Sequence, residues 1–160
     1  INQKLRRKRM FEERKSVKEV EEGEKLSPKF DKSGLIPAVT TDCNSGELLM
    51  HAYMNKEALE KSIKTKEAHY FSRSRNCVWH KGATSGFTQK IVSILIDDDQ
   101  DCIWLKVEVE GGASCHVGYK SCFYREIDHS DQKTILKFTE KNKVFDPEDV
   151  YGDAPNPTIL

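Results

Sequence analysis

No apolar run in this chain approaches the roughly 18 residues that span a bilayer, and its start has no apolar h-region, so neither a membrane helix nor a secretory signal is expected within it. An excess of charge of one sign is missing too: 26 Lys and Arg balance 26 Asp and Glu, giving formal net charge +0. Nothing global therefore favours nucleic acid or an acidic membrane surface, and any electrostatic steering must be local. Cysteine is too sparse for a disulfide framework, with five residues in a chain of 160. An odd number of thiols fits metal binding or packing in a reducing, cytoplasmic setting. The first residue is Ile1, which leaves open a targeting segment removed before it. Mean hydropathy is low, -0.67, but the apolar deficit is concentrated in residues 1–33, and the remainder suffices for one core.

Three regions follow from the patterning. Residues 1–32 form a charged extension in which basic runs, Lys4 to Arg9, precede acidic ones, Glu19 to Glu24. Residues 4–25 are expected to be a surface helix ended by Ser27-Pro28. Residues 33–128 carry the ordinary apolar content of one folded domain. A β-hairpin opens it, with strands around Leu35–Thr41 and Leu48–Met54 joined at Asn44-Ser45-Gly46. Asn55 is placed to cap a helix over residues 56–64 whose inward stripe is Ala58, Leu59 and Ile63. Further strands are expected at 68–73, 90–96, 103–109 and 123–127. Strands outnumber helices and short turns join them, so the fold class is α+β, a mainly antiparallel, roll-like sheet with one principal helix. Residues 129–160 read as an extended tail laid over a neighbour.

Chemistry concentrates between Asp97 and Cys122. Asp97, Asp99 and Asp101 alternate, so extended backbone turns all three to one side, where they repel unless a cation lies between them. Oxygen-only ligands suit a hard ion such as Mg²⁺, the competing reading being a solvated acidic turn. Cys115 and Cys122, flanking Gly118, could give two thiolates to a Zn²⁺ that keeps an open position, or could be core residues. His116 could ligate a metal, move protons near neutral pH, or be structural. Arg73 and Arg75, with Lys81, Thr84 and Ser85 just after, offer guanidinium forks, an ammonium and hydroxyls suited to phosphate, or form a charged connecting loop. Trp79 could flank a planar base or belong to the core.

Taken together, Trp79-His80-Lys81-Gly82-Ala83-Thr84-Ser85-Gly86, the aspartate run and Cys115-His116-Val117-Gly118-Tyr119-Lys120-Ser121-Cys122-Phe123 resemble the phosphoribosyl-AMP cyclohydrolase family of histidine biosynthesis. The resemblance extends over Gly34 to Val39, Gly46 to Met50, Ala52 to Leu59 and Phe71 to Arg75. It implies a homodimer with active sites at the subunit interface, Zn²⁺ and Mg²⁺ as cofactors, and a small nucleotide as substrate. The reaction it implies is hydrolytic opening of the purine ring of 1-(5-phosphoribosyl)-AMP between N1 and C6, giving the formimino-carboxamide ribotide. Asp97, Asp99 and Asp101 are then the Mg²⁺ ligands and Cys115 and Cys122 two Zn²⁺ ligands. His116 is the candidate for proton transfer, and Arg73, Arg75, Trp79, Lys81, Thr84 and Ser85 are the candidates for substrate contact. No segment resembles the pyrophosphohydrolase fused to this enzyme in some lineages, so a monofunctional enzyme is expected.

One position departs from the family pattern. The family has Asp-Cys-Asp-x-Asp, with the cysteine as third zinc ligand, and here that place is held by Asp98. Either Asp98 supplies a carboxylate oxygen or Cys102 replaces the missing thiol through a shifted loop. The interval from Asp98 to Cys115 is also one residue longer than is common, which a bulge near Gly111-Gly112 could absorb. Two rival functions remain alongside the cyclohydrolase: a zinc-dependent hydrolase or deaminase of another adenine nucleotide, and a non-catalytic nucleotide-binding homologue.

Overall fold

A strand of alternating burial starts the sheet. The computed structural model describes residues 9–160. β1 (Ile36–Asp42) turns Ile36, Ala38 and Thr40 inward, and β2 (Leu48–Met54) pairs with it antiparallel. Their turn is held by Asp42, whose Oδ1 accepts from the amides of Asn44 (2.8 Å) and Ser45 (2.9 Å). The principal helix, α2 (Lys56–Thr65), starts where Asn55 accepts from the Ala58 amide at 2.8 Å, the expected cap. It buries Ala58, Leu59 and Ser62, with Ile63 half-buried beside them. Sealing Leu59 from water contributes about 2 kcal/mol.

The other strands of the main sheet are β3 (His69–Ser72), β4 (Cys77–His80), β5 (Gln89–Ile96) and β6 (Ile103–Val109). Spatial order is β4-β3-β2-β1-β6-β5, and all neighbours run antiparallel except β1 and β6, which run parallel. The sheet curls on itself: the Ala68 amide donates to Gln89 O (2.9 Å) and the Ile91 amide to Lys66 O (2.7 Å), joining the entry of β3 to the start of β5. Inside the curl lie Ile36, Leu49, Met54, Leu59, Tyr70, Ile103, Leu105 and Val107.

Four expectations need correction. The N-terminal helix is only α1 (Val17–Glu22), capped by Ser16 and ended at Gly23; residues 4–8 of the expected span lie outside the described residues. Residues 9–15 are irregular because they dock on the body, with Phe11 against Phe30 and the core. β4 was expected to be loop, since its run is short and follows the polar Ser72 to Asn76; the tight turn at Asn76, φ 51°, allows the chain to double back. The strand expected at 123–127 does not join the sheet. It becomes β7 (Arg125–His129), which pairs only with β8 (Thr134–Phe138) in a separate hairpin across the expected boundary at 128/129. A short helix, α3 (Pro147–Tyr151), interrupts the expected extended tail.

Candidate metal and nucleotide site

The aspartates occupy the β5–β6 turn. Asp97 Oδ1 accepts from the amides of Asp101 (2.9 Å) and Cys102 (3.0 Å), and the Gln100 amide donates to Asp97 O (3.1 Å), which winds the turn tightly. One oxygen of each of Asp97, Asp99 and Asp101 lies within 4.8 Å of the others. Partial burial pushes Asp97 up, yet the two donated amides outweigh it and hold this carboxyl below its usual range. Sharing a proton with Asp97 and Asp99 brings Asp101 up to about 6. Three carboxylate oxygens this close, with one side open, match what a hard divalent cation requires.

The cysteines lie on a turn folded back on itself after β6. The Ser114 amide donates to Lys120 O (3.0 Å), the Cys115 amide to Tyr119 O (3.2 Å) and the Gly118 amide to Cys115 O (3.0 Å), which brings residues 115 and 122 together. The Cys122 amide, bound to Leu49 O at 2.7 Å, anchors the turn to the start of β2. Donation from Cys122, with the amide of Val117 and the charge of Lys81, draws buried Cys115 down to about 6, and Cys122 is pushed up.

A buried polar chain fixes this turn. Thr40 Oγ1 meets the Tyr70 hydroxyl at 2.7 Å, the Tyr70 hydroxyl donates to Gln89 Oε1 at 2.6 Å, and Gln89 Nε2 donates to Ser114 Oγ at 3.1 Å. Lys81 Nζ donates to Ser114 O at 2.6 Å. Burial pushes the Lys81 ammonium below its ordinary value, with the two thiols pulling the other way. His116 is half-buried; burial and then the Lys81 charge push it below its ordinary value, partly offset by a hydrogen bond with Asn156 of the tail.

Substrate-contact candidates divide between two environments. Arg73 and Arg75 are exposed, Arg73 with its guanidinium 4.2 Å from the centre of the Tyr53 ring and Arg75 Nε donating to Ser72 Oγ at 3.3 Å. Thr84 is exposed, and Ser85 Oγ accepts from the Phe87 amide at 3.1 Å. Gly82 begins their turn, with φ 90° and a position where a Cβ would lie 2.4 Å from the Thr88 amide nitrogen, so only glycine fits. Lys81 is elsewhere, buried against the thiol turn, so it is not part of an open anion cradle. Trp79 packs on the core beside Tyr70, at 5.3 Å between ring centres.

Within one chain, neither Asp98 nor Cys102 joins the two thiols; among the described residues the only trio of potential ligands gathered together is Asp97, Asp99 and Asp101. The register explains the separation. Cys122 hangs from Leu49, which is level with Leu105 and Lys106 through β1, whereas the aspartate turn precedes Ile103. That is about 8 Å along the strands and about 10 Å across two strand spacings. Sequence reasoning missed Tyr70, Gln89 and Ser114, whose polar groups meet only after the sheet curls; Gln89 at the head of an apolar strand was the one local sign.

Residues 50–124 match the family model described as phosphoribosyl-AMP cyclohydrolase. The chain is similar to the phosphoribosyl-AMP cyclohydrolase of Rhodopseudomonas palustris strain HaA2, 49% identical over 138 residues, 86% of this chain and 93% of that protein. It is 51% identical over 133 residues to that of Bradyrhizobium diazoefficiens, covering 83% of this chain and 94% of the relative. With that of Rhizobium leguminosarum bv. trifolii strain WSM2304 it shares 52% over 134 residues, 83% of this chain and 89% of the relative. Half-identity across nearly the whole of each relative, over the strands, helix and both turns just described, means that the chain belongs to the phosphoribosyl-AMP cyclohydrolase family.

Proposed function

We propose that this chain opens the purine ring of 1-(5-phosphoribosyl)-AMP between N1 and C6, the step of histidine biosynthesis for which its relatives are named, with Zn²⁺ and Mg²⁺ bound. The observation that carries the reading is the single turn that holds two interacting thiols and a half-buried imidazole, with the buried ammonium of Lys81 packed against it. Cys115 and Cys122 would hold Zn²⁺ through sulfur, and Asp97, Asp99 and Asp101 would hold Mg²⁺. Bound zinc supplies Lewis acidity that makes water nucleophilic near neutral pH.

The chain's own groups account for the proton movements. In the reaction the oxygen of water bonds to C6, the C6–N1 bond breaks, and its electron pair leaves with N1, which must take up a proton. His116, held below its ordinary pKa by burial and Lys81, is neutral at pH 7 and free to accept a proton from water on its imidazole and return it to the departing nitrogen. The Lys81 ammonium lies beside both sulfurs, where its charge favours the thiolate that a soft metal needs. Arg73 and Arg75, exposed on one turn, and the hydroxyls of Thr84 and Ser85 suit the substrate's phosphates.

The third zinc donor is supplied by a second copy of the chain. Two features support this: Asp98 and Cys102 lie apart from their own chain's thiols, and the β7–β8 hairpin leaves Ile127, Ile135, Leu136 and Phe138 exposed close after Cys122. Asp98, in the place of the family's cysteine, is the donor we assign. Turnover of 1-(5-phosphoribosyl)-AMP against AMP, with zinc counted by mass spectrometry, tests the reading. Cys115→Ser should lose zinc and turnover with its far-UV spectrum unchanged, and Asp98→Cys should tighten zinc. Full activity in Cys115→Ser, or faster turnover of AMP, overturns the reading.

A further inference from the structure

The turn that gathers Asp97, Asp99 and Asp101 sends the Gln100 side chain inward. Gln100 is 5% exposed and sits in left-handed backbone at φ 57°. Its side chain is fully engaged with the N-terminal segment: Oε1 accepts from the Ser27 amide at 2.7 Å, and Nε2 donates to Val20 O (3.0 Å) and Lys25 O (3.2 Å). Its carbonyl accepts from the Lys29 amide at 2.7 Å. One residue earlier, Arg14 forks across the same junction, with Nη1 donating to Ser27 O (2.6 Å) and Nη2 to Asp99 O (2.8 Å). Five hydrogen bonds thus fasten residues 14–29 to two consecutive residues of a six-residue turn, both between or among the carboxylates, and a sixth, Arg14 to Ser27, braces the segment itself.

We propose that the N-terminal segment, through Gln100 and Arg14, sets the spacing of the three carboxylates, making these two positioning residues for the cation held by Asp97, Asp99 and Asp101. The inference rests on the aspartate reading above. Physically, three like charges within 4.8 Å push the turn open against the few backbone bonds that close it. Gln100 resists by tying the turn's inner side to three backbone groups that would otherwise be stranded, and Arg14 fixes the carbonyl of the central ligand itself. An outer partner of this kind orients metal ligands without touching the metal. The charged extension, which sequence alone marks as a solvated surface, is by this account part of the site.

The test uses Mn²⁺ as the probe, its free concentration read by electron paramagnetic resonance on the full chain with no substrate present. Gln100→Asn keeps a residue that tolerates left-handed backbone but is one methylene too short to reach the three partners. Arg14→Ala removes the fork from an exposed position. Each should weaken Mn²⁺ binding about tenfold, the scale on which loss of an outer-shell partner acts, at a temperature where circular dichroism shows the sheet intact. Asp99→Asn should weaken it further. Wild-type affinity in folded Gln100→Asn overturns the proposal while leaving the aspartates as ligands if Asp99→Asn still binds poorly. If Gln100→Asn does not fold, Arg14→Ala decides in the same way. Wild-type affinity in Asp99→Asn overturns the aspartate reading and the proposal together.

Discussion

Replacing Gln89 by Leu removes the centre of the buried polar chain while conserving side-chain volume. Gln89 is wholly buried and makes three side-chain bonds: from Tyr70 at 2.6 Å, to Ser114 at 3.1 Å and to Met50 Sδ at 3.2 Å. A near-isosteric replacement leaves little cavity, so the cost comes from the polar groups. Loss of the bonds to Tyr70 and Ser114 removes about 1 kcal/mol each, and stranding one of those buried hydroxyls adds about 1 kcal/mol more. The Tyr70 hydroxyl can still turn to Thr40, which caps the penalty. A destabilisation of about 3 kcal/mol follows, which for a chain of this size lowers Tm by roughly 6–12 °C. Thermal unfolding followed by circular dichroism, with urea titration for the free energy, measures it. A Tm within a degree of the parent would refute the reasoning, because it would mean that Tyr70, Gln89 and Ser114 are coupled less strongly than their distances require.

Two other perturbations test different parts of the chain. Asp42 is held below its ordinary pKa by the amides of Ser45 and Asn44, so it stabilises the β1–β2 turn above its unfolded value and stops doing so as pH falls through its folded one. The stability advantage of the parent over Asp42→Asn should be constant from about pH 5 to 8 and shrink below about pH 4; an advantage unchanged near pH 2.5 contradicts the assignment. Gly118 has φ 108°, accepts from the Val144 amide at 2.7 Å, and has Phe145 O where a Cβ would lie 2.4 Å away. Gly118→Ala should lift the tail from the thiol turn and speed limited proteolysis after residue 140 with the sheet intact; an unchanged cleavage rate argues against that contact.

Local chemistry was legible wherever one element settled it. The Asn55 cap, the β1–β2 hairpin and strand β6 appear where residue types and alternation put them, because each depends on neighbours in sequence. The gathering of Asp97, Asp99 and Asp101 was legible in outcome, but a tight turn wound on Asp97 Oδ1, rather than the alternation of extended backbone, brings them together. What could not be read depends on contacts across the fold. Lys81 looked like a phosphate ligand beside Thr84 and Ser85, but the β4–β5 connection turns it inward to Ser114. Residues 9–15 carried a helical charge pattern and are irregular because backbone bonds to Leu26 and side-chain bonds at Ser27 and Asp99 replace helical ones. β7 and β8 have strand propensity without a sheet to join, and propensity does not name a neighbour.

The parallel pairing of β1 with β6 has a consequence for how the chain is made. β1 acquires β2 as soon as the hairpin leaves the ribosome, but its other edge waits for Ile103 to Val107. Over that interval the nascent hairpin presents unpaired backbone from Ala38 to Asp42, the condition under which strands adopt foreign partners. High contact order makes this closure slow, so substitutions that weaken β6 should reduce the yield of native protein during synthesis more than they reduce the stability of molecules already folded.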